Sequence, residues 1–140
     1  LIDGFSSRST WGASRVTIIC DGTGWRTESG TYRYSSGNQT ITASGALTLA
    51  HGLGVRPTKI WTEIQCTTTE HNYTVGDRVT VGTAETDGAA MRGVNVSPDA
   101  TNLTVLYSSS ATTFTIPNKS TRASSATTNA NWRLRVYAEE

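Results

Sequence analysis

The stretch Lys59-Ile60-Trp61-Thr62-Glu63-Ile64-Gln65-Cys66 decides the fold class. Ile60, Thr62, Ile64 and Cys66 fall on one side, Lys59, Trp61, Glu63 and Gln65 on the other. Side chains of an extended chain point alternately to two faces, so this alternation after Pro57 predicts a half-buried β-strand. The same period recurs in Arg78-Val79-Thr80-Val81, in Val94 and Val96, in Leu103, Val105 and Tyr107, and in Phe114 and Ile116 before Pro117. The last strand carries Trp132, Leu134, Val136 and Ala138 on one face and Arg133, Arg135 and Tyr137 on the other. Short strands at regular spacing predict a small antiparallel β-sandwich knob over residues 46–140, with Trp132, Leu134 and Val136 packed opposite Ile60 and Ile64.

Upstream, Val16, Ile18 and Cys20 share a face, Asp21-Gly22-Thr23-Gly24 is a turn signal, and Trp25 opens a second short strand. Residues 1–28 therefore predict a separate β-hairpin stem. The Gly-, Ser-, Thr- and Asn-rich stretch 29–45 is the expected connector, with a short extended piece near Ile41. Three polar loops are expected in the knob: Thr67 to Asp77, Gly82 to Gly93, and Asn118 to Asn131.

Composition agrees with an all-β chain. Among 140 residues there are 25 Thr and 15 Ser, with 13 Gly besides. Thr is stiff at its branched Cβ and favours strands, whereas Gly and Ser favour turns. That excludes a helical bundle, a coiled coil and a nucleotide-binding α/β domain. A net charge of +1 gives no electrostatic ground for binding nucleic acid or an anionic membrane, and no run is apolar enough for a spanning helix. The two cysteines, Cys20 and Cys66, read as small buried hydrophobes rather than as a bridge. A hydrophobic fraction of 36% is low for a monomer that fills its own core, which makes oligomerisation an expected source of burial. The start at Leu1, without Met, suggests a processed or partial chain with an upstream anchor.

Candidate chemistry is sparse. His51-Gly52-Leu53-Gly54 reads as a turn with a hydrogen-bonded His, and no second His stands at a metal-ligand spacing, although copies of His51 on a trimer axis could hold a cation. Gly76-Asp77 reads as a turn in which Asp77 accepts backbone N–H groups. Isolated Asp77, Asp87 and Asp99 make no calcium loop. Glycan hydrolysis would need Glu63 to face Glu70 or Glu85 across a cleft for which a domain this small has little room. No G-x-S-x-G motif supports a nucleophilic Ser. The expectation is no enzyme, no cofactor and no metal. Arg133 and Arg135 suit either carboxylates across a subunit boundary or a solvated sheet face. Glu70, His71 and Tyr73 sit together on a loop. Tyr and His there offer a flat face with polar tips for a sugar ring; alternatively Tyr73 packs beneath its own loop.

Two segments resemble bacteriophage tail-fibre sequences. Residues 14–26, Ser-Arg-Val-Thr-Ile-Ile-Cys-Asp-Gly-Thr-Gly-Trp-Arg, look like the strand, "DGT-x-W" turn and strand of trimeric fibre and spike modules. His51-Gly52-Leu53-Gly54-Val55-Arg56-Pro57, continued through Cys66 to Tyr73-Thr74-Val75-Gly76-Asp77, resembles a carboxy-terminal module of phage and prophage tail proteins. Ser97 to Val105 and Asn131 to Val136 resemble later elements of that module. The resemblance implies an H-type-lectin-like sandwich knob, a homotrimer at the end of a fibre, and contact with a host surface glycan or protein. It also implies other virion proteins as partners through the upstream anchor. Host contact by loops at one end of the knob makes His71, Tyr73, Arg92 and Arg122 the candidate receptor-binding residues, on loops Glu70–Tyr73, Glu85–Arg92 and Arg122–Asn131. The rival expectation is a capsid- or collar-borne head fibre or decoration protein with no dedicated receptor. A bacterial or prophage-derived lectin is a third reading.

Overall fold

The computed structural model describes residues 15–20, 25–30, 33–82, 85–87 and 90–140, and side chains from residue 33 onward outside 83–90. The chain is all-β, as its alternation requires. Strands β1 (Arg15–Cys20) and β2 (Trp25–Gly30) form an antiparallel hairpin from Cys20↔Trp25 to Arg15↔Gly30. The turn Asp21-Gly22-Thr23-Gly24 and the expected burial of Cys20 lie outside the described residues.

The sandwich-like body follows. Strands β3 (Arg33–Ser35), β4 (Gln39–Thr40), β5 (Ala46–Ala50), β6 (Lys59–Cys66) and β7 (Arg78–Val81) precede a short hairpin of β8 (Glu85–Asp87) and β9 (Ala90–Arg92). Then come β10 (Val94–Pro98), β11 (Asn102–Tyr107), a hairpin of β12 (Thr115–Pro117) and β13 (Ser124–Ala126), a 3-10 turn at Asn129–Asn131, and β14 (Trp132–Glu139). One antiparallel sheet runs β3-β14-β6-β7, with β4 also on β14, and a second runs β10-β11-β5.

Both sheets contribute to one buried cluster. Ile64, Cys66, Trp132, Leu134, Val136 and Ala138 come from the first, and Val94, Leu103, Val105 and Tyr107 from the second. Phe114 and Ile116 of the β12 region close it. The burial of β6 follows its sequence alternation, with Thr62, Ile64 and Cys66 buried and Lys59 and Trp61 exposed.

Three expectations are modified. Trp132, Leu134 and Val136 are fully buried, but beside β6 rather than opposite it, in the cross-strand pairs Trp132↔Cys66, Leu134↔Ile64 and Val136↔Thr62. Residues 33–45, expected to be a connector, supply β3 and β4 and bury Ile41. β14 recruits them through one backbone bond, Ser36 N donating to the Val136 carbonyl at 2.9 Å, and one side-chain bond, Val136 N donating to Ser36 Oγ at 2.9 Å. Two of the expected loops hold short hairpin strands, β8 and β9 within 82–93 and β13 within 118–131.

Candidate functional site

One end of the body is built by the segment after β6 and by the β12–β13 hairpin. Past Cys66, the N–H groups of Thr67 and Thr68 donate to the Asn131 carbonyl at 2.8 and 3.2 Å, which moors the chain beside the start of β14. The chain then doubles back through His71 and Asn72, whose φ angles are +53° and +64°. Asn and His are among the non-glycine residues that enter the left-handed region most readily, and two such residues in succession suit a tight hairpin turn. Reciprocal backbone bonds between Glu70 and Tyr73, 3.2 and 2.9 Å, close it.

Glu70 is the hub of this end. Its Oε2 accepts from Trp132 Nε1 at 2.6 Å, and its two oxygens accept from Thr128 N at 3.1 Å each. Burial by itself raises the Glu70 carboxyl pKa. The Thr128 and Trp132 donors, which favour the charged form, outweigh that and hold it below its ordinary value. The Tyr73 hydroxyl donates to the Pro117 carbonyl at 3.0 Å, and its ring meets Trp132 edge-on at 5.5 Å. Lys119 lies over the same ring at 5.6 Å and reaches Asp77 Oδ2 at 2.6 Å. Asp77 also accepts from Thr74 N at 2.9 Å, as a turn Asp should. Lys119, then the Thr74 N–H, hold its carboxyl below the usual range.

The expected receptor residues are placed as follows. His71 Nε2–H donates to the Ala126 carbonyl at 2.8 Å, so its polar tip, like that of Tyr73, is engaged by the β12–β13 hairpin. Arg122 lies in the turn of that hairpin, exposed, at φ +62°, with Nη1 donating to Ser120 O at 3.3 Å. His71, Tyr73 and Arg122 thus gather at one end. Arg92 ends β9, donates to the Thr112 carbonyl at 3.3 Å, and lines a groove of about 450 Å³ between Val79–Gly82 of the β7 side and Phe114–Pro117.

The remaining chemical candidates resolve into structural roles. His51 is buried. Its Nδ1 accepts from Leu53 N at 3.1 Å, which leaves Nε2–H to donate to the Asp99 carbonyl at 3.2 Å. Gly52 and Gly54, at φ +64° and +78°, supply the reversal around it. Asp99 Oδ1 accepts from Thr101 N and Asn102 N at 2.6 and 2.7 Å, capping a turn. Among the described residues no group of three His, Cys, Asp or Glu is placed to hold a metal ion. The side chains of Glu85 and Asp87 lie outside the described residues.

A second surface escaped residue-by-residue reading. On the outer face of the larger sheet, Trp61 and Tyr137 stand opposite each other and stack at 5.1 Å with 9° between their planes. Arg135 lies over the Tyr137 ring at 5.7 Å and donates to Gln65 Oε1 at 3.1 Å. Glu139 is held between Arg33 at 2.7 Å and Lys59 at 3.5 Å. Arg133 donates to the carbonyls of Ala130 and Trp132 at 3.0 and 2.8 Å. Alternation marks each of these residues as outward-facing, but only the register reveals which ones meet.

Compared with known proteins, the chain matches no family model, no curated protein and no solved structure.

Proposed function

We propose that the chain is a non-enzymatic phage fibre component: a trimeric, lectin-like knob on a hairpin stem that adheres to the host cell surface. The observation that carries this reading is the cross-tied end of the body. His71, Asn72, Tyr73 and Lys119 are bonded to partners across the gap between segment 67–77 and the β12–β13 hairpin, so side chains from both segments hold this surface in place. Arg122 projects from it with its fork accessible, a group suited to acidic or hydroxyl-rich surfaces. A preorganised surface loses little ordering entropy on contact. Three weak sites on each fibre, and several fibres on each particle, then add up to stable attachment.

The test is competition. The purified chain should block adsorption of the parent phage, and Arg122→Ala, at an exposed side chain, should weaken the block while the sandwich stays folded. The engaged tips of His71 and Tyr73 favour one rival, a purely structural head fibre or decoration protein. If the chain binds no host cell, the adhesive reading loses to that rival.

A further inference from the structure

We infer that the free edge of β5 is a self-association site, at which the strand pairs antiparallel with β5 of a second copy of this chain across a two-fold axis. This contact goes beyond the adhesive reading. It joins knob to knob and is separate from the three-fold assembly of one fibre.

The ladder bonds of β5 run to one side. Tyr107 N donates to the Gly45 carbonyl at 2.9 Å and His51 N to the Thr101 carbonyl at 3.1 Å, in line with the pairs Leu47↔Val105 and Leu49↔Leu103. In an antiparallel ladder, residues bonded to one neighbour alternate with residues whose N–H and C=O groups point the other way. Leu47 and Leu49 thus bond towards β11, and the backbone groups of Ala46, Thr48 and Ala50 point away from it. β5 is the last strand of its sheet, and no hydrogen bond to another described segment is made on that side. The side chains of Ala46, Thr48 and Ala50 are exposed, and those of Leu47 and Leu49 are only half-buried.

An open edge is a template for another strand, and folded chains blunt such edges with charge, proline or shortness. The other ends of the two larger sheets are blunted in these ways. β3 has three residues and starts with Arg33, β7 starts with Arg78, and β10 ends on Pro98. β5 spans five residues and carries neither charge nor proline.

Two observations name a second copy as the occupant. The strand Ala46-Leu47-Thr48-Leu49-Ala50 reads the same in both directions about Thr48. A two-fold axis at Thr48 therefore sets Thr48 against Thr48 of the partner subunit, Ala46 against Ala50 of the partner subunit, and Leu47 against Leu49 of the partner subunit. Ala46, Thr48 and Ala50 then occupy the hydrogen-bonded positions, and each half-buried Leu gains an apolar cross-strand neighbour. Charge is the second observation. A surface that meets its own copy brings like charges together, and no residue of β10, β11 or β5 is charged. A closed two-fold uses up both free edges, so association stops at the pair. One short strand pair makes a small interface, so the contact is reversible and is best captured by trapping.

The experiment is disulfide trapping of the folded chain at high concentration under mild oxidation, with the parent chain as the control for Cys20 and Cys66. Hydrogen-bonded partners of an antiparallel pair stand about 5.5 Å apart at Cα, within disulfide reach, so Thr48→Cys should yield a linked dimer well above the parent chain. Chains carrying Ala46→Cys and Ala50→Cys should link when mixed. Neither should link to itself, because identical positions then lie four residues out of register, roughly 13 Å apart. Adding Thr48→Lys to both mixed chains, which sets two ammonium groups face to face, should lower linking about five-fold. Melting curves like that of the parent chain should confirm that these exposed positions leave the fold intact. A Thr48→Cys chain that links no more than the parent overturns the inference. So does Ala46→Cys linking to itself as readily as Thr48→Cys, the result of random collision or of like strands meeting at a three-fold axis. Linking of the mixed chains that ignores Thr48→Lys overturns it as well.

Discussion

At the scale of single residues, two side chains hold most of the weight. Trp132 is fully buried, packs edge-on against Tyr73 and donates its indole N–H to Glu70. Replacing a buried Trp by Ala removes apolar contact and leaves a cavity, at a cost of about 3–5 kcal/mol. Trp132→Ala should therefore lower the melting temperature sharply or abolish soluble expression, and an unchanged melting curve would refute its place in the core. Glu70 adds a pH dependence. Its carboxyl and that of Asp77 are held below their ordinary values in the folded chain, so the stability they contribute is fully present above the unfolded pKa. It is lost as pH falls below about 4.5 and through the lower folded values. Thermal denaturation between pH 6 and pH 3 should show a progressive fall in melting temperature. The fall should be smaller in Glu70→Gln, which begins less stable but has no charge at this position to lose.

At the scale of elements, the β12–β13 hairpin is fastened to the segment after β6 mainly through side chains and by one backbone bond, from Lys119 N to the His71 carbonyl at 3.1 Å. The Tyr73 hydroxyl bond to Pro117 is one of these fastenings. Tyr73→Phe keeps the ring on Trp132 and deletes that bond, so it should cost about 1 kcal/mol in urea denaturation. It should also raise amide exchange in 118–126 more than in β6 or β14. Equal exchange throughout would show that the hairpin is held by its own turn instead, in which Asn118 Oδ1 accepts from Ser120 N and Thr121 N at 2.9 and 3.0 Å. The pairing of β6 with β14 runs over eight residues, from Trp132↔Cys66 to Glu139↔Lys59, and forms the spine on which both candidate surfaces are mounted.

At the scale of the whole molecule, the proposed trimer has a direct measurement. Closed cyclic symmetry gives every copy a neighbour on two flanks. Light scattering of the purified chain should report about three times 15.0 kDa, and a monomer at micromolar concentration would refute the assembly. The exposed apolar residues Val75, Met91 and Leu106 are sites where substitution by a charged residue should leave the single chain folded. A charge at an intersubunit contact among them would lower the mass by scattering without altering the circular dichroism.

What the sequence by itself determined is the alternation, and through it the all-β class, the two faces of β6 and β14, the hairpin of β1 and β2, and the buried identities of Ile64, Cys66, Trp132, Leu134 and Val136. These are local consequences of a period of two, in which side-chain direction follows from backbone geometry alone. The turn roles of His51, Gly52, Gly54 and Asp77 were legible for a similar reason, because positive φ and side-chain capping are decided within a few residues. Only the tertiary structure decided which strands are neighbours. It turned Trp132 from an expected partner opposite Ile64 into a resident of the same sheet, drew 33–45 from a connector into two strands on β14, and set short strands within two polar loops. It also committed the tips of His71 and Tyr73 to carbonyls more than forty residues away and brought Trp61 against Tyr137 across a distance of 76 residues in sequence. Register and long-range pairing arise from how the whole set of strands shares one core, and no period within a single strand encodes them.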